Sequence, residues 1–391
     1  MDKFEGIRPV WAEINIDNLA YNMREIRYNT DDNALVIAVV KADAYGHGSI
    51  EAARVFLKNG ADRLAVATVE EGIELRKAGI EVPILILGAT PNSQHELTIK
   101  WNLIETVFNY KSAKNLSEIA RKNNKIASVH IKIDTGMGRI GFLSKEEIIK
   151  EIEMINDLSN LRVEGIFTHF AKADEKDKSF TRKQFERFNK VINEIEKLGI
   201  NIPIKHVSNS AGIIDLPEYN LDMVRPGIIN YGLYPSNEVN KERIKLKPAM
   251  TLKARISNIK KISKNTGISY GHTFITKRES VIGTIPIGYA DGFTRILSHK
   301  AEVIVKGKRV PVIGTICMDQ CMIDLTGVNN VNIGDEVIIF GGENNSYMPI
   351  EEVAKKIGTI NYEIVCMVGR RIPRIYKRNG KTVKVVDYLI D

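Results

Sequence analysis

Eight short apolar runs recur along roughly the first 235 residues, at 35–40, 64–67, 84–87, 104–107, 129–133, 163–168, 204–208 and 222–225. Runs of Leu, Val and Ile without polar alternation read as strands buried on both faces. Amphipathic stretches such as 69–78, 110–122, 144–157 and 182–198 lie between them. A strand followed by a helix or helical turn, eight times over, fits a (β/α)8 barrel. A doubly wound open sheet is the alternative, although no Gly-rich dinucleotide fingerprint follows the first run.

The pattern changes after 236–249, a polar and basic stretch with Pro235 and Pro248 at its edges that reads as a linker. Segments 250–263, 281–287, 302–305, 310–313, 321–324 and 336–340 are β-rich, and Gly307, Gly334 and Gly341-Gly342 mark turns among them. Only 350–357 has a clear helical pattern there. The expected architecture is α/β: an N-terminal TIM-like (β/α)8 barrel over residues 12–240 and a C-terminal, mostly β domain over 241–391, with residues 1–11 packing against the latter. A chain of 391 residues is long enough for two such cores.

Composition narrows the function classes. Hydrophobic and charged contents of 43% and 27% are those of a soluble globular protein. No run of 18 apolar residues spans a membrane, and Met1-Asp2-Lys3-Phe4-Glu5 has no apolar signal core. Three cysteines are too few for a disulfide framework, which fits a reducing cytosol and a cytoplasmic location. Cys317 and Cys321 supply two thiols, which do not close a zinc site, and no metal is expected. The net charge of +8 is scattered, with small clusters such as Lys260, Lys261 and Lys264. That pattern reads as a solvated surface with a modest pull on anionic ligands rather than as a nucleic-acid interface.

Barrel enzymes place their sites at the C-terminal ends of the strands. Lys41 stands at the end of the first run, where an unpartnered amine is rarely buried. It either snorkels to water or is a desolvated amine suited to form a Schiff base. Arg139 follows the fifth run, His169 ends the sixth, Asn209 and Ser210 follow the seventh, and Arg225 ends the eighth, with Gly227 two residues on. Loops after strands seven and eight often hold phosphate in barrels, and Ser210 and Gly227 suit that role. Each residue also has a plainer account. Ser210 and Gly227 could be ordinary turn residues, Arg225 a salt-bridge residue and His169 a satisfied core imidazole.

The stretch Val39-Val40-Lys41-Ala42-Asp43-Ala44-Tyr45-Gly46-His47-Gly48 resembles the pyridoxal-phosphate (PLP) lysine motif of bacterial alanine racemases. The resemblance runs through almost the whole chain. It implies that Lys41 carries PLP and that Ser210, Gly227 and the amide of Ile228 hold the phosphate, assisted by the hydroxyls of Tyr45 and Tyr362. It implies that Arg225 faces the ring nitrogen where many PLP enzymes place a carboxylate. A guanidinium is a poor acid, so the ring is a weaker electron sink and transamination is suppressed. His169 matches the histidine that stacks near the ring and links to the catalytic tyrosine. Arg139 matches the arginine that supports that tyrosine and meets the substrate carboxylate. Lys132 matches a lysine that is often carbamylated, an anion able to orient Arg139.

Racemisation needs a proton removed from one face of Cα and another delivered to the opposite face, so two groups should flank the carbon. Lys41 serves one face. Ser269-Tyr270-Gly271-His272-Thr273-Phe274 resembles the second-base motif, with Tyr270 as the base for the L-enantiomer; unaided, it reads as a strand tyrosine in a β core. Ile285-Pro286-Ile287-Gly288-Tyr289-Ala290-Asp291-Gly292 resembles the segment whose tyrosine narrows the substrate entrance, and Tyr362 matches the other entrance tyrosine. Cys317-Met318-Asp319-Gln320 resembles the segment whose methionine amide binds the substrate carboxylate. The implied protein is a homodimer with composite active sites that supplies D-alanine for peptidoglycan. The alternatives are a racemase for another small amino acid such as serine, a PLP decarboxylase, which is expected to carry a carboxylate in place of Arg225, and a non-catalytic PLP-binding barrel, which lacks the second domain.

Overall fold

The computed structural model describes residues 6–143, 147–343 and 346–390. Met1–Glu5 and the first three positions of the 144–157 stretch lie outside the described residues. The eight apolar runs form strands Leu35–Val39, Arg63–Val66, Ile84–Ala89, Ile104–Val107, Ala127–Asp134, Leu161–Phe167, Ile204–His206 and Met223–Val224. The first seven pair in parallel in chain order, and Met223–Val224 returns to pair with Leu35 and Val36. Backbone bonds from Asp222 N to Lys205 O and from Arg225 N to Ser208 O, 3.1 and 3.0 Å, draw the last seam together. The ring is nearly closed, which excludes the open doubly wound sheet. Helices cover its outside, so Val36, Ile37, Ala38 and Val39 are all buried although successive side chains point to opposite faces.

The covering helices include Val69–Lys77, Tyr110–Lys122, Glu147–Asn156 and Ser179–Lys197. Thr68 and Glu71 form a capping box at the first, and Asn109 caps the second through a bond to Ser112 N. These caps set where each strand ends and its helix begins.

The chain divides into two compact units. The barrel unit comprises Leu19–Ala44 and Ser49–Lys247. The stretch read as a linker belongs to it as far as Lys247. Val239 and Ile244 are buried, and Asn240 N donates to Asp215 Oδ1 at 3.0 Å. The many charges around those two apolar anchors hide them from a reading by composition.

The β unit comprises the described residues up to Asn18, Tyr45–Gly48, and Pro248 onward. Its main sheet runs in the order Asn258–Ile262, Ser280–Ile285, Cys321–Asp324, Lys308–Ile313, Glu302–Val305, Glu336–Glu343, Met250–Arg255, Val10–Asn15, Arg374–Arg378, Lys381–Val386. Val10–Asn15 is therefore an interior strand, antiparallel to Met250–Arg255 and parallel to Arg374–Arg378. Asn379 and Gly380 both take positive φ, 49° and 72°, in the hairpin that joins the last two strands. A second helix, Asn361–Cys366, follows Ile350–Ile357. Residues 45–48 are gripped within this unit: Arg374 Nε donates to Gly46 O at 3.0 Å and Tyr376 Oη to His47 O at 3.1 Å.

Candidate active site

Lys41 opens a turn of unusual hand. Ala42, Asp43, Ala44 and Tyr45 all take φ of 52–53°, the left-handed helical region. For L-residues this costs roughly 1–2 kcal/mol each. Glu71 Oε1 accepts from Ala42 N at 2.6 Å and Asp43 Oδ1 from Ser49 N at 2.8 Å, which offsets part of the strain. Strain of this kind is retained where the surroundings over-determine it, often at functional sites.

Arg225 is buried at the end of the eighth strand. It donates to Thr168 O at 2.8 Å, Val207 O at 3.0 Å, His206 Nδ1 at 3.0 Å and His169 Nδ1 at 3.3 Å. No ion pair of Arg225 with a carboxylate occurs among the described residues. Burial, then the nearby Arg139, bring its pKa down to about 9. His169 is held well below the usual imidazole range by desolvation first, and then by Arg225, Arg139, Lys132 and Lys41. Four basic side chains from the first, fifth and eighth strand ends thus converge on one imidazole, which stays neutral.

Lys132 is buried, with Nζ donating to Ile133 O at 2.8 Å. Desolvation, then Arg225, lower its pKa to about 7, so much of it is a neutral amine near neutral pH. A neutral amine is the form that adds carbon dioxide. Asp134, beside it, gathers the amides of Gly136, Met137, Gly138 and Arg139 at 2.8–3.1 Å. Burial alone would raise the Asp134 pKa; those amides and Lys132 outweigh it and hold the carboxylate ionised. The loop is thereby fixed, and Arg139 projects from it with an exposed side chain.

Ser210 begins the short helix Ser210–Asp215, and its Oγ accepts from Gly227 N at 2.9 Å. Asn209 caps the helix through Gly212 N. A hydroxyl and a backbone amide are thus brought together after strands seven and eight, leading into the turn Ile228–Tyr231. With the cations above, this donor set fits a phosphate-bearing, ring-containing anion such as PLP. Among the described residues no group of three His, Cys, Asp or Glu could hold a metal ion. No helix of the described residues is long and apolar enough to cross a membrane.

The β unit assembles the remaining residues. Tyr45 and Tyr362 meet with ring centroids 6.1 Å apart. Tyr270 sits in a strained turn: Ser269 has φ 65° and ψ −175°, a region almost confined to glycine. Thr315 locks that turn, accepting from Ser269 Oγ at its carbonyl and donating to Tyr270 O at 3.1 Å. Tyr289 and Met318 are joined by backbone bonds, Tyr289 N to Cys317 O at 3.1 Å and Ala290 N to Met318 O at 3.0 Å. A Cβ on Gly288 would lie 2.3 Å from both carbonyl oxygens, so only glycine fits there. Asp291 is buried and chelated by Arg8, which reaches it from the N-terminal arm at 2.5 and 2.8 Å. Thr315, Asp291 and Arg8 escaped the sequence reading because their roles are contacts across many strands.

The chain matches the family model described as alanine racemase, N-terminal domain over residues 14–235, and that described as alanine racemase, C-terminal domain over residues 249–376. It is 52% identical over 386 residues to alanine racemase 1 of Clostridium acetobutylicum, covering 99% of this chain and 100% of that one. It is 51% identical over 387 residues to the alanine racemase of Clostridium tetani, with the same coverage. The solved structure of alanine racemase from Clostridium difficile 630 superposes with a TM-score of 0.95 at 46% identity, covering 98% of this chain and 99% of that one. With both domains matched and relatives aligned end to end, this chain belongs to the alanine racemase family.

Proposed function

We propose that this protein interconverts L- and D-alanine with PLP, and that the residues assembled above divide the work between binding, restraint and proton transfer. The observation that carries the reading is the convergence of Lys41, Lys132, Arg139, His169 and Arg225 on one end of the barrel, next to the Ser210–Gly227 pair. Ser210, Gly227 and Ile228 would hold the phosphate with Tyr45 and Tyr362, Lys41 would hold the aldehyde, and Arg225 would face the ring nitrogen. Bound there, PLP supplies the electron withdrawal that acidifies the Cα–H bond of an amino acid attached to it.

Lys41 moves the proton at one face of Cα and Tyr270 at the other. Arg139 and the amide of Met318 orient the carboxylate. Tyr289 and Tyr362 leave room for a methyl group and crowd longer side chains. Lys132, once carbamylated, becomes an anion that steadies Arg139. The second copy of a homodimer supplies Tyr270, so each site is shared between chains. The enzyme acts in the cytoplasm and feeds D-alanine to peptidoglycan synthesis.

The test is D-alanine formation from L-alanine by the purified PLP-loaded protein, with L-serine and L-lysine as competing substrates. Alanine should turn over fastest and lysine not at all. Faster formation of D-serine would reassign the substrate, and no racemisation of any of the three would sink the reading.

A further inference from the structure

Behind Arg225 a chain of buried polar groups crosses the barrel interior. Arginine carries only donors, so His206 Nδ1, 3.0 Å from the guanidinium, must accept. Burial keeps His206 and His130 below the usual imidazole range, so each carries one proton. The His206 proton is then on Nε2, which lies 2.8 Å from His130 Nδ1. That nitrogen accepts in turn, and the His130 proton is left on Nε2, facing Glu164 Oε2 at 3.7 Å. This last separation is an ion-pair distance rather than a hydrogen bond. Neither atom has a hydrogen-bond partner among the described residues, so each is left facing the other. Arg63 holds the second carboxylate oxygen at 2.8 Å. The His130 proton first, and then Arg63, keep Glu164 ionised, with its pKa down at about 2.

The surroundings are built for this chain. Phe167 stacks on His206 at 4.6 Å with rings 8° from parallel, and the Arg225 guanidinium lies 5.4 Å from the same ring. Gly165 makes room for His130: a Cβ there would sit 2.4 Å from Nδ1. Every proton in the series points away from Arg225 and toward Glu164. A carboxylate at the far end polarises both imidazoles in one sense and strengthens the lone pair offered to the guanidinium.

We infer that His206, His130 and Glu164 are positioning residues for Arg225: a one-way chain of donors ending on a carboxylate fixes the guanidinium in one orientation and delivers negative charge to it through two rings. The inference rests on the reading that Arg225 faces the ring nitrogen of PLP. A carboxylate in direct contact with Arg225 would compete for its N–H groups and favour a protonated ring. Set two imidazoles away, it steadies the arginine and leaves the ring nitrogen to a weak acid. Were His206 to carry its proton on Nδ1, two donors would face each other and the guanidinium would be displaced.

Ring-nitrogen NMR of the 15N-histidine-labelled holoenzyme reads the tautomers directly, and with only seven histidines each signal can be assigned by single substitution. His206 and His130 should both be protonated on Nε2 alone. Glu164→Gln should mix the tautomers and raise pyruvate formed per alanine racemised about fivefold, a shift of about 1 kcal/mol in the partition between the two products. His206→Asn keeps an acceptor for Arg225 but is too short to reach His130, and should raise the same ratio should Glu164→Gln not fold. A proton on His206 Nδ1 in the unaltered enzyme, or an unchanged pyruvate ratio in both variants, would overturn the relay. If the unaltered protein forms no D-alanine, the functional reading fails, while the tautomers still decide the relay independently.

Discussion

At the barrel end Lys132, Ser210 and Arg225 are all buried and each has a hydrogen-bond partner, whereas in the β unit Tyr270, Met318 and Tyr289 are 71%, 53% and 42% exposed. The first set is fixed at its side chains, by carbonyls, imidazoles and an amide. The second is fixed at its backbone, by the Thr315 lock and the bonds from Tyr289 to Cys317 and from Ala290 to Met318, while its side chains face solvent. Preorganised polar groups suit a cofactor that stays in place, because they cost no reorganisation during the reaction. Residues that meet a substrate need only the right backbone position until something covers them. A phenol this exposed cannot act in a water-excluded site on its own, which agrees with the proposed sharing of each site between two copies.

The comparison can be broken at both ends at once. Lys41→Ala and Tyr270→Phe should each lower racemisation at least about a thousandfold as pure homodimers, since each removes one of two proton carriers. Lys41→Ala should also lose the visible absorption of lysine-bound PLP after dialysis. Unfolded together in equal amounts and refolded, the two variants should form mixed dimers about half the time. One site in each mixed dimer then carries both lesions and the other neither, restoring about a quarter of the wild-type sites. An inactive mixture, with exchange verified by mass, would place both groups in one chain.

A smaller effect is expected from Arg225→Glu, which should slow racemisation about a hundredfold and raise the yield of pyruvate and pyridoxamine phosphate. A variant that is slowed with no rise in those products would mean that Arg225 does not control the ring.

The smallest effect concerns Lys132, and here the sign follows from linkage. Its folded pKa of about 7 lies below the ordinary 10.5, so the unfolded chain binds this proton more tightly. The cost to stability is full below about pH 7 and fades as the pH rises toward that of a free lysine. In CO2-free buffer Lys132→Met should melt higher than wild type at about pH 6.5, and the gap should close toward about pH 10. Added bicarbonate should narrow the gap near neutrality if the amine is carbamylated. Equal melting temperatures across that range would show that Lys132 is not destabilised by burial.

Much of this was legible before the fold was known. The eight apolar runs announced the barrel because parallel strands buried on both faces need no polar alternation, and Lys41, Arg225 and Ser210 stood out as polar residues ending such runs. Val10–Asn15 was harder to place, since its partners Met250–Arg255 and Arg374–Arg378 are hundreds of residues away. His130 and His206 drew no notice in the sequence, because a hydrogen bond between two strand interiors has no local signature. Gly165, in the middle of a buried strand, was the one available hint of the space His130 requires.

The turn after Lys41 has a consequence in stereochemistry. Ala42 holds the backbone angles that a D-amino acid prefers, φ 52° and ψ 51°, and its side chain is exposed. Replaced by D-alanine through chemical ligation, it would keep the turn and shed roughly 1–2 kcal/mol of strain. In a member of the alanine racemase family, the residue next to Lys41 already has the backbone hand of a D-amino acid.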